Sequence, residues 1–118
     1  MATELIDLAS PLAAESSVPE ADRVLAGAPQ QAIANYYSDP SQQFFAGRWS
    51  STKGKWRIRY TESEFCAILT GRVALVSASG VRREFGPGAA FVVPAGFAGT
   101  WEVLEDCTKL YAIFEPRT

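Results

Sequence analysis

The 118-residue sequence contains no histidine. That removes the usual general base near neutral pH, the commonest metal ligand, and every nucleophile pair in which an imidazole activates a serine or cysteine. Cysteine is scarce: Cys66 and Cys107 are the only two, with no CxxC spacing, so both read as free thiols rather than parts of a disulfide framework or zinc site. Long apolar runs are missing, and no stretch approaches the ~18 residues of a membrane helix. Residues 1–14 carry Glu4 and Asp7 with neither a basic start nor an apolar centre. No export signal is therefore expected, and the chain reads as soluble and cytoplasmic. A net charge of −2 and a pI near 5.1 lack the basic surplus that binding a phosphate backbone requires, so neither nucleic acid nor a membrane is an expected partner.

What is present is enough apolar material for one folded domain: 47% hydrophobic residues against 20% charged. Residues 1–30 are rich in Ala, Ser, Pro and Glu, and Pro11, Pro19 and Pro29 interrupt any helix, which predicts an N-terminal arm with at most one short turn. Residues 31–118 form the predicted domain. Gln31 to Tyr37 and Gln43 to Ser50 read as aromatic-rich strands around a Ser38-Asp39-Pro40-Ser41 turn. Lys55 to Tyr60 alternates Trp56, Ile58 and Tyr60 with Arg57 and Arg59, the period of a strand with two different faces. Glu64 to Leu69, Arg72 to Ser77, Val81 to Phe85, the apolar run Ala89 to Val93, Thr100 to Leu104 and Lys109 to Phe114 follow, with a break expected at Gly71. About eight to ten short strands without a long helix predict an all-β sandwich or barrel.

Gly86-Pro87-Gly88, then five residues from the second glycine, then Pro94-Ala95-Gly96, reproduces the motif G-x5-P-x-G. Its glycines suit positive-φ turns at both ends of a strand, and its proline stiffens the exit corner. A second motif, G-x5-H-x-H-x3–4-E-x6-G, is offered Gly54, Ile58 or nearby, Tyr60, Glu64 and Gly71, with both histidines replaced and only three residues between Gly54 and Ile58. With these two signatures, about residues 45–114 resemble a cupin, which implies an RmlC-like jelly-roll β-barrel, usually dimeric. Gly47-Arg48-Trp49, Tyr60, Glu64-Phe65-Cys66, Ile68-Leu69-x-Gly71, Pro94-x-Gly96-Phe97, Gly99 to Val103 and Lys109-x-Tyr111 are similar to small cupins of the (S)-ureidoglycine aminohydrolase-like group, cousins of the ethanolamine-utilisation cupins. In metal-binding cupins the resemblance places ligands at four positions that here hold Ile58, Tyr60, Glu64 and Gly99. Only Glu64 is a hard-metal ligand, so neither a metal site nor another cofactor is expected.

Glu64 and Tyr60 are the candidate catalytic residues. By the resemblance, Glu64 faces the barrel interior, and a carboxylate there needs a cation or hydrogen-bond donor to keep its charge. Two readings of Glu64 stand side by side: ligand anchor or general base, and structural partner of Lys109 or an arginine. Trp49, Trp56, Ile58, Cys66, Phe97, Gly99, Trp101, Lys109 and Tyr111 are the candidate ligand-binding residues, the aromatic ones serving equally well as core packing. Cys66 has no histidine to activate it, so a nucleophilic role is disfavoured. Cys107, after Glu105-Asp106, reads as a turn residue near the surface. Arg48, Lys53, Lys55, Arg57 and Arg59 read as a solvated strand face or as a basic rim that meets a partner's acids or steers an acidic substrate. Gly86-Pro87-Gly88 lacks the GK[ST] of a phosphate loop.

The expected function is binding of a small polar metabolite inside a barrel without metal-binding histidines, with carbon–nitrogen compound metabolism as what the resemblance implies. A metal-dependent ureidoglycine aminohydrolase-like hydrolase or isomerase and a non-catalytic dimeric scaffold are the alternatives, so an enzyme and a pure binding protein are both compatible with the sequence. A homodimer is expected, with the Ala32 to Phe45 region adding a strand to a partner's sheet.

Overall fold

Alternating inward and outward side chains, punctuated by glycine and proline turns, set nine strands in the computed structural model, which describes residues 3–117. They are β1 (Glu15–Ser17), β2 (Val24–Gly27), β3 (Gln31–Ser38), β4 (Phe44–Ser51), β5 (Gly54–Arg59), β6 (Ser63–Ser77), β7 (Arg82–Phe85), β8 (Ala90–Val93) and β9 (Ala98–Phe114). The only helical element among the described residues is a 3-10 turn, Ala21–Arg23. All pairings are antiparallel. The sheet runs β1-β3-β4-β9-β5-β2, and β6 pairs along the opposite edge of β9 while carrying β8 beside its first half and β7 beside its second. This curled sheet is a jelly-roll barrel.

Two long strands hold it together. β9 lends one edge to β5 through Ala98–Val103 and to β4 through Cys107–Phe114. The Thr100 and Lys109 segments expected as separate strands are therefore one element of 17 residues. Likewise the break expected at Gly71 is a bend within β6. Gly71 sits at φ 82°, the register shifts on both sides of it, and a Cβ there would collide with the Asp106 carbonyl oxygen. A bulge bends a strand without ending it, which composition alone does not distinguish from a turn. The same bend corrects Cys107: it is 2% exposed inside β9, opposite Ser51, because Glu105 and Asp106 turn outward and leave it facing the core.

The turn signals hold their places. Gly88 and Gly96 adopt φ of 88° and 91°, flanking β8. The Asp39 carboxylate accepts from the Ser41 side chain and from the backbone N–H groups of Ser41, Gln43 and Phe44, closing the β3–β4 turn. Those bonds, led by the one from the Ser41 hydroxyl, lower its pKa to about 2. The apolar run Ala89 to Val93 is not buried on both faces: Phe91 and Val93 point inward, but Val92 faces outward and is 59% exposed. β3 finds its partners within the chain, in β1 and β4. The N-terminal segment contributes β1 to β3 and β2 to β5.

The core is Trp56, Cys66, Ile68, Val73, Leu75, Val93, Trp101, Val103 and Cys107, with the alternation in β6 changing parity at the bend around Gly71. No helix of the described residues is long and apolar enough to cross a membrane.

Candidate functional site

At one end of the barrel interior, β4, β5, β6 and β9 turn their inward residues toward a common point. Glu64 enters from β6 and Lys109 from β9, where register sets Cys66 opposite Tyr111 and Ile68 opposite Lys109. The Lys109 Nζ lies 3.0 Å from Glu64 Oε2, with side-chain exposures of 5% and 6%. The Tyr60 hydroxyl donates to the other carboxylate oxygen, Oε1, at 2.7 Å. Both oxygens of the buried carboxylate are thereby satisfied, one by a cation and one by a phenol.

The ammonium is held on its other sides as well. Its nitrogen lies 4.3 Å from the Trp101 ring centre and 4.7 Å from that of Trp49, and Trp49 meets Trp101 edge-on at 5.7 Å. Two indole faces thus supply the electrostatic attraction that water would otherwise provide. Nζ also donates to Cys66 Sγ at 3.6 Å. Burial, offset in part by that ammonium, pushes the Cys66 thiol up to about 12, so it stays protonated. Burial and the Glu64 charge push the Tyr60 phenol far above its ordinary range, which fixes it as a donor. Tyr111, raised to about 12 by burial and then Glu64, donates to Asn35 Oδ1 at 2.7 Å.

Above this cluster is a cavity of about 230 Å³. Trp49, Trp56, Ile58, Tyr60, Glu64, Trp101, Lys109 and Tyr111, all singled out in the sequence, line it. Cys66 does not line the cavity: it is fully buried in the core and meets the site only through the Lys109 ammonium. Phe97 and Gly99 are not brought to the cavity either. Phe97 lines a separate apolar hollow with Phe85 and Phe91, and Gly99 lies where a Cβ would strike the Val76 carbonyl oxygen, so its lack of a side chain serves close strand packing. Gln31, Ile33, Glu62 and Ile113 also line the cavity and escaped the sequence analysis. Ile113 shares parity with Lys109 and Tyr111, a signal that could have found it; Gln31 and Ile33 depend on how β3 curls over β4, and Glu62 lies in a loop. Arg57 and Arg59 are exposed, and Arg57 donates to the Asp22 carbonyl at 3.1 Å.

Residues 38–111 match the family model of the EutQ-like cupin domain. The chain belongs to that family. The cupin is similar to a DUF861-family protein of unknown function from Pseudomonas syringae pv. tomato, at 23% identity and a TM-score of 0.81, over 92% of this chain and 46% of that one. It therefore spans about half the length of that relative. It is also similar to EutQ from Clostridium difficile (11% identity, TM-score 0.66, 74% of this chain and 64% of that one) and to KdgF from Halomonas sp. (16%, 0.61, 74% and 82%). Among curated proteins none matches.

The cupin's interior does not fit the metal that its fold family commonly holds. Glu64 is the one carboxylate in the buried cluster, and the position beside it is taken by the Lys109 ammonium, which would repel a divalent ion and already neutralises that carboxylate; Glu62, the other acid lining the cavity, lies in a loop. Among the described residues no group of three Cys, Asp or Glu side chains converges on a shared point.

Proposed function

We propose that this cupin binds a small polar metabolite against the Lys109–Glu64–Tyr60 cluster, without a metal. The observation that supports this reading is a buried ion pair with a phenol donor at the floor of an aromatic-walled cavity, a few converging polar groups in an otherwise apolar pocket. Lys109 has three N–H donors; one meets Glu64 and one Cys66, leaving one for a ligand oxygen. Each Glu64 oxygen retains a second lone pair that can accept from a ligand N–H or O–H. Because the pair is already neutral overall, a ligand with a net charge would leave that charge unpaired in a low-dielectric site. An uncharged group offering an acceptor beside a donor, such as an amide or hydroxy-carbonyl, suits it best.

Within this reading, a role in carbon–nitrogen compound metabolism rests on the sequence resemblance to the ureidoglycine aminohydrolase-like group. If chemistry follows binding, Lys109 is placed to polarise a carbonyl oxygen and Glu64 to accept a proton. The decisive experiment screens small amides, hydroxy acids and amines by thermal shift, then measures affinities for wild type, Glu64→Gln and Tyr60→Phe. A ligand whose affinity falls at least tenfold in both variants supports the reading; affinities that both variants leave intact sink it. Stoichiometric manganese, nickel, iron or zinc in the purified protein would favour a metal-dependent hydrolase instead.

A further inference from the structure

Phe97 takes no part in the Lys109 cavity and lines instead a second hollow of about 280 Å³, which shares no lining residue with the first. This hollow lies between β7 and β8, two strands that each pair with β6 and not with one another. Register builds its β7 wall. Arg83 stands opposite Leu75 and Phe85 opposite Val73, and both partners belong to the core, so Arg83 and Phe85 share the inward face of β7. Arg82 and Glu84 take the other face, where the Glu84 carboxylate pairs with Arg82 and, at 3.1 Å, with Arg72. From β8, Phe91 stacks on Phe85 with ring centres 4.0 Å apart. Leu75, Val81 and Phe97 extend the apolar lining.

One cation faces these rings. The Arg83 guanidinium lies 5.7 Å from the centre of the Phe85 ring and, among the described residues, has neither an ion pair nor a hydrogen bond, while its neighbours Arg72 and Arg82 share Glu84. No Asp or Glu lines the hollow, so its charge is that of Arg83 alone. A neutral apolar guest would strip water from one side of the guanidinium and return nothing for it. A guest that also carries a carboxylate returns two parallel N–H···O bonds in the fork geometry that arginine presents.

We propose that this hollow binds a small aromatic monocarboxylate, its ring among Phe85, Phe91 and Phe97 and its carboxylate on Arg83. The volume lies just below the ~300–1,000 Å³ of pockets that take drug-sized molecules, which suits one ring with a short acid arm. An aromatic ring fits this lining better than an aliphatic chain, because edge and offset contacts between rings add to what area burial alone supplies. The inference rests on this hollow alone and stands apart from the reading of Glu64 and Lys109.

Nuclear magnetic resonance titration of the isotope-labelled full chain tests it with phenylacetate, its neutral isostere phenylacetamide, and hexanoate, an acid without a ring. The expected result is phenylacetate binding that weakens with added salt, with phenylacetamide and hexanoate each at least tenfold weaker. Amide shifts should fall in residues 81–85 and 90–97 rather than at the Trp49 and Trp56 indoles. Arg83 is exposed, so Arg83→Gln keeps the fold and should lose at least tenfold in affinity, the scale of a charge-assisted hydrogen bond. Arg82→Gln removes the same charge from the other face of β7 and should leave the affinity unchanged. Absence of binding at millimolar phenylacetate overturns the proposal, as do equal affinities for acid and amide or equal losses in the two arginine variants. Hexanoate binding as tightly as phenylacetate overturns the assignment of an aromatic guest. Shifts confined to Trp49 and Trp56 overturn it by placing the acid in the other cavity.

Discussion

Removing one member of the Glu64–Lys109 pair should damage this cupin far more than removing both. In Glu64→Leu, the Lys109 ammonium stays wedged between Trp49 and Trp101 at 5% side-chain exposure with its counter-ion gone. In Lys109→Met, the Glu64 carboxylate keeps only the Tyr60 hydroxyl. Uncompensated charge in such a place costs about 3–5 kcal/mol, a large share of the ~5–15 kcal/mol by which a domain is stable. The double variant Glu64→Leu/Lys109→Met replaces the pair with apolar atoms of similar volume, which in other buried pairs is neutral or stabilising by ~1–4 kcal/mol. It should therefore unfold near wild type, giving a coupling energy of at least ~3 kcal/mol, the upper range for contacting residues. Urea unfolding followed by tryptophan fluorescence reads this directly, since Trp49 and Trp101 flank the ammonium and Trp56 lines the same cavity. If each single variant costs less than ~1 kcal/mol, or the double variant simply adds the two losses, the pair is hydrated or mobile and the electrostatic argument is wrong.

Other outcomes follow from the same geometry. Tyr60→Phe removes the donor to a buried carboxylate and should cost about 1.5–3 kcal/mol in the same unfolding assay; a change below ~0.5 kcal/mol would mean that another donor replaces it. Cys66 and Cys107 titrate near 12 and 11 in the folded protein, raised chiefly by burial from an ordinary 9, so the unfolded chain loses these protons first. Their contribution to stability is full below about pH 9 and fades as the pH rises toward 11 and 12, and a pH series of urea midpoints should slope downward there, less steeply in Cys66→Ala/Cys107→Ala. Neither thiol should react with a disulfide reagent at pH 8 until denaturant is added; labelling of the native protein would contradict their burial. Gly47→Ala would drive a methyl into the Ala34 carbonyl oxygen and the Tyr111 hydroxyl. It should destabilise by ~1–3 kcal/mol and, by shifting Tyr111, weaken ligand binding; an unchanged unfolding midpoint would show that β3 and β4 yield freely.

The sequence by itself determined the architecture, because strand fold is written in short-range signals: period-two alternation in Lys55 to Tyr60 and Glu64 to Leu69, and glycines at Gly88 and Gly96 where φ is positive. It also determined what the interior lacks, since a side chain that is absent cannot be supplied by folding. What stayed hidden was everything that depends on which distant residues share a neighbourhood. Gly71 looks like a stop in one dimension, and only the approach of Asp106 turns it into a bulge within a continuous β6. Cys107 sits beside two acidic residues in sequence yet faces the core, because β9 bends where it leaves β5 for β4. Glu64 and Lys109 are 45 positions apart, and although Lys109 is one of the partners considered for Glu64, nothing local to either residue chooses it over an arginine. That was decided by the register of β6 against β9, which in turn follows from burying one face of each strand, a property of the whole sheet rather than of any segment.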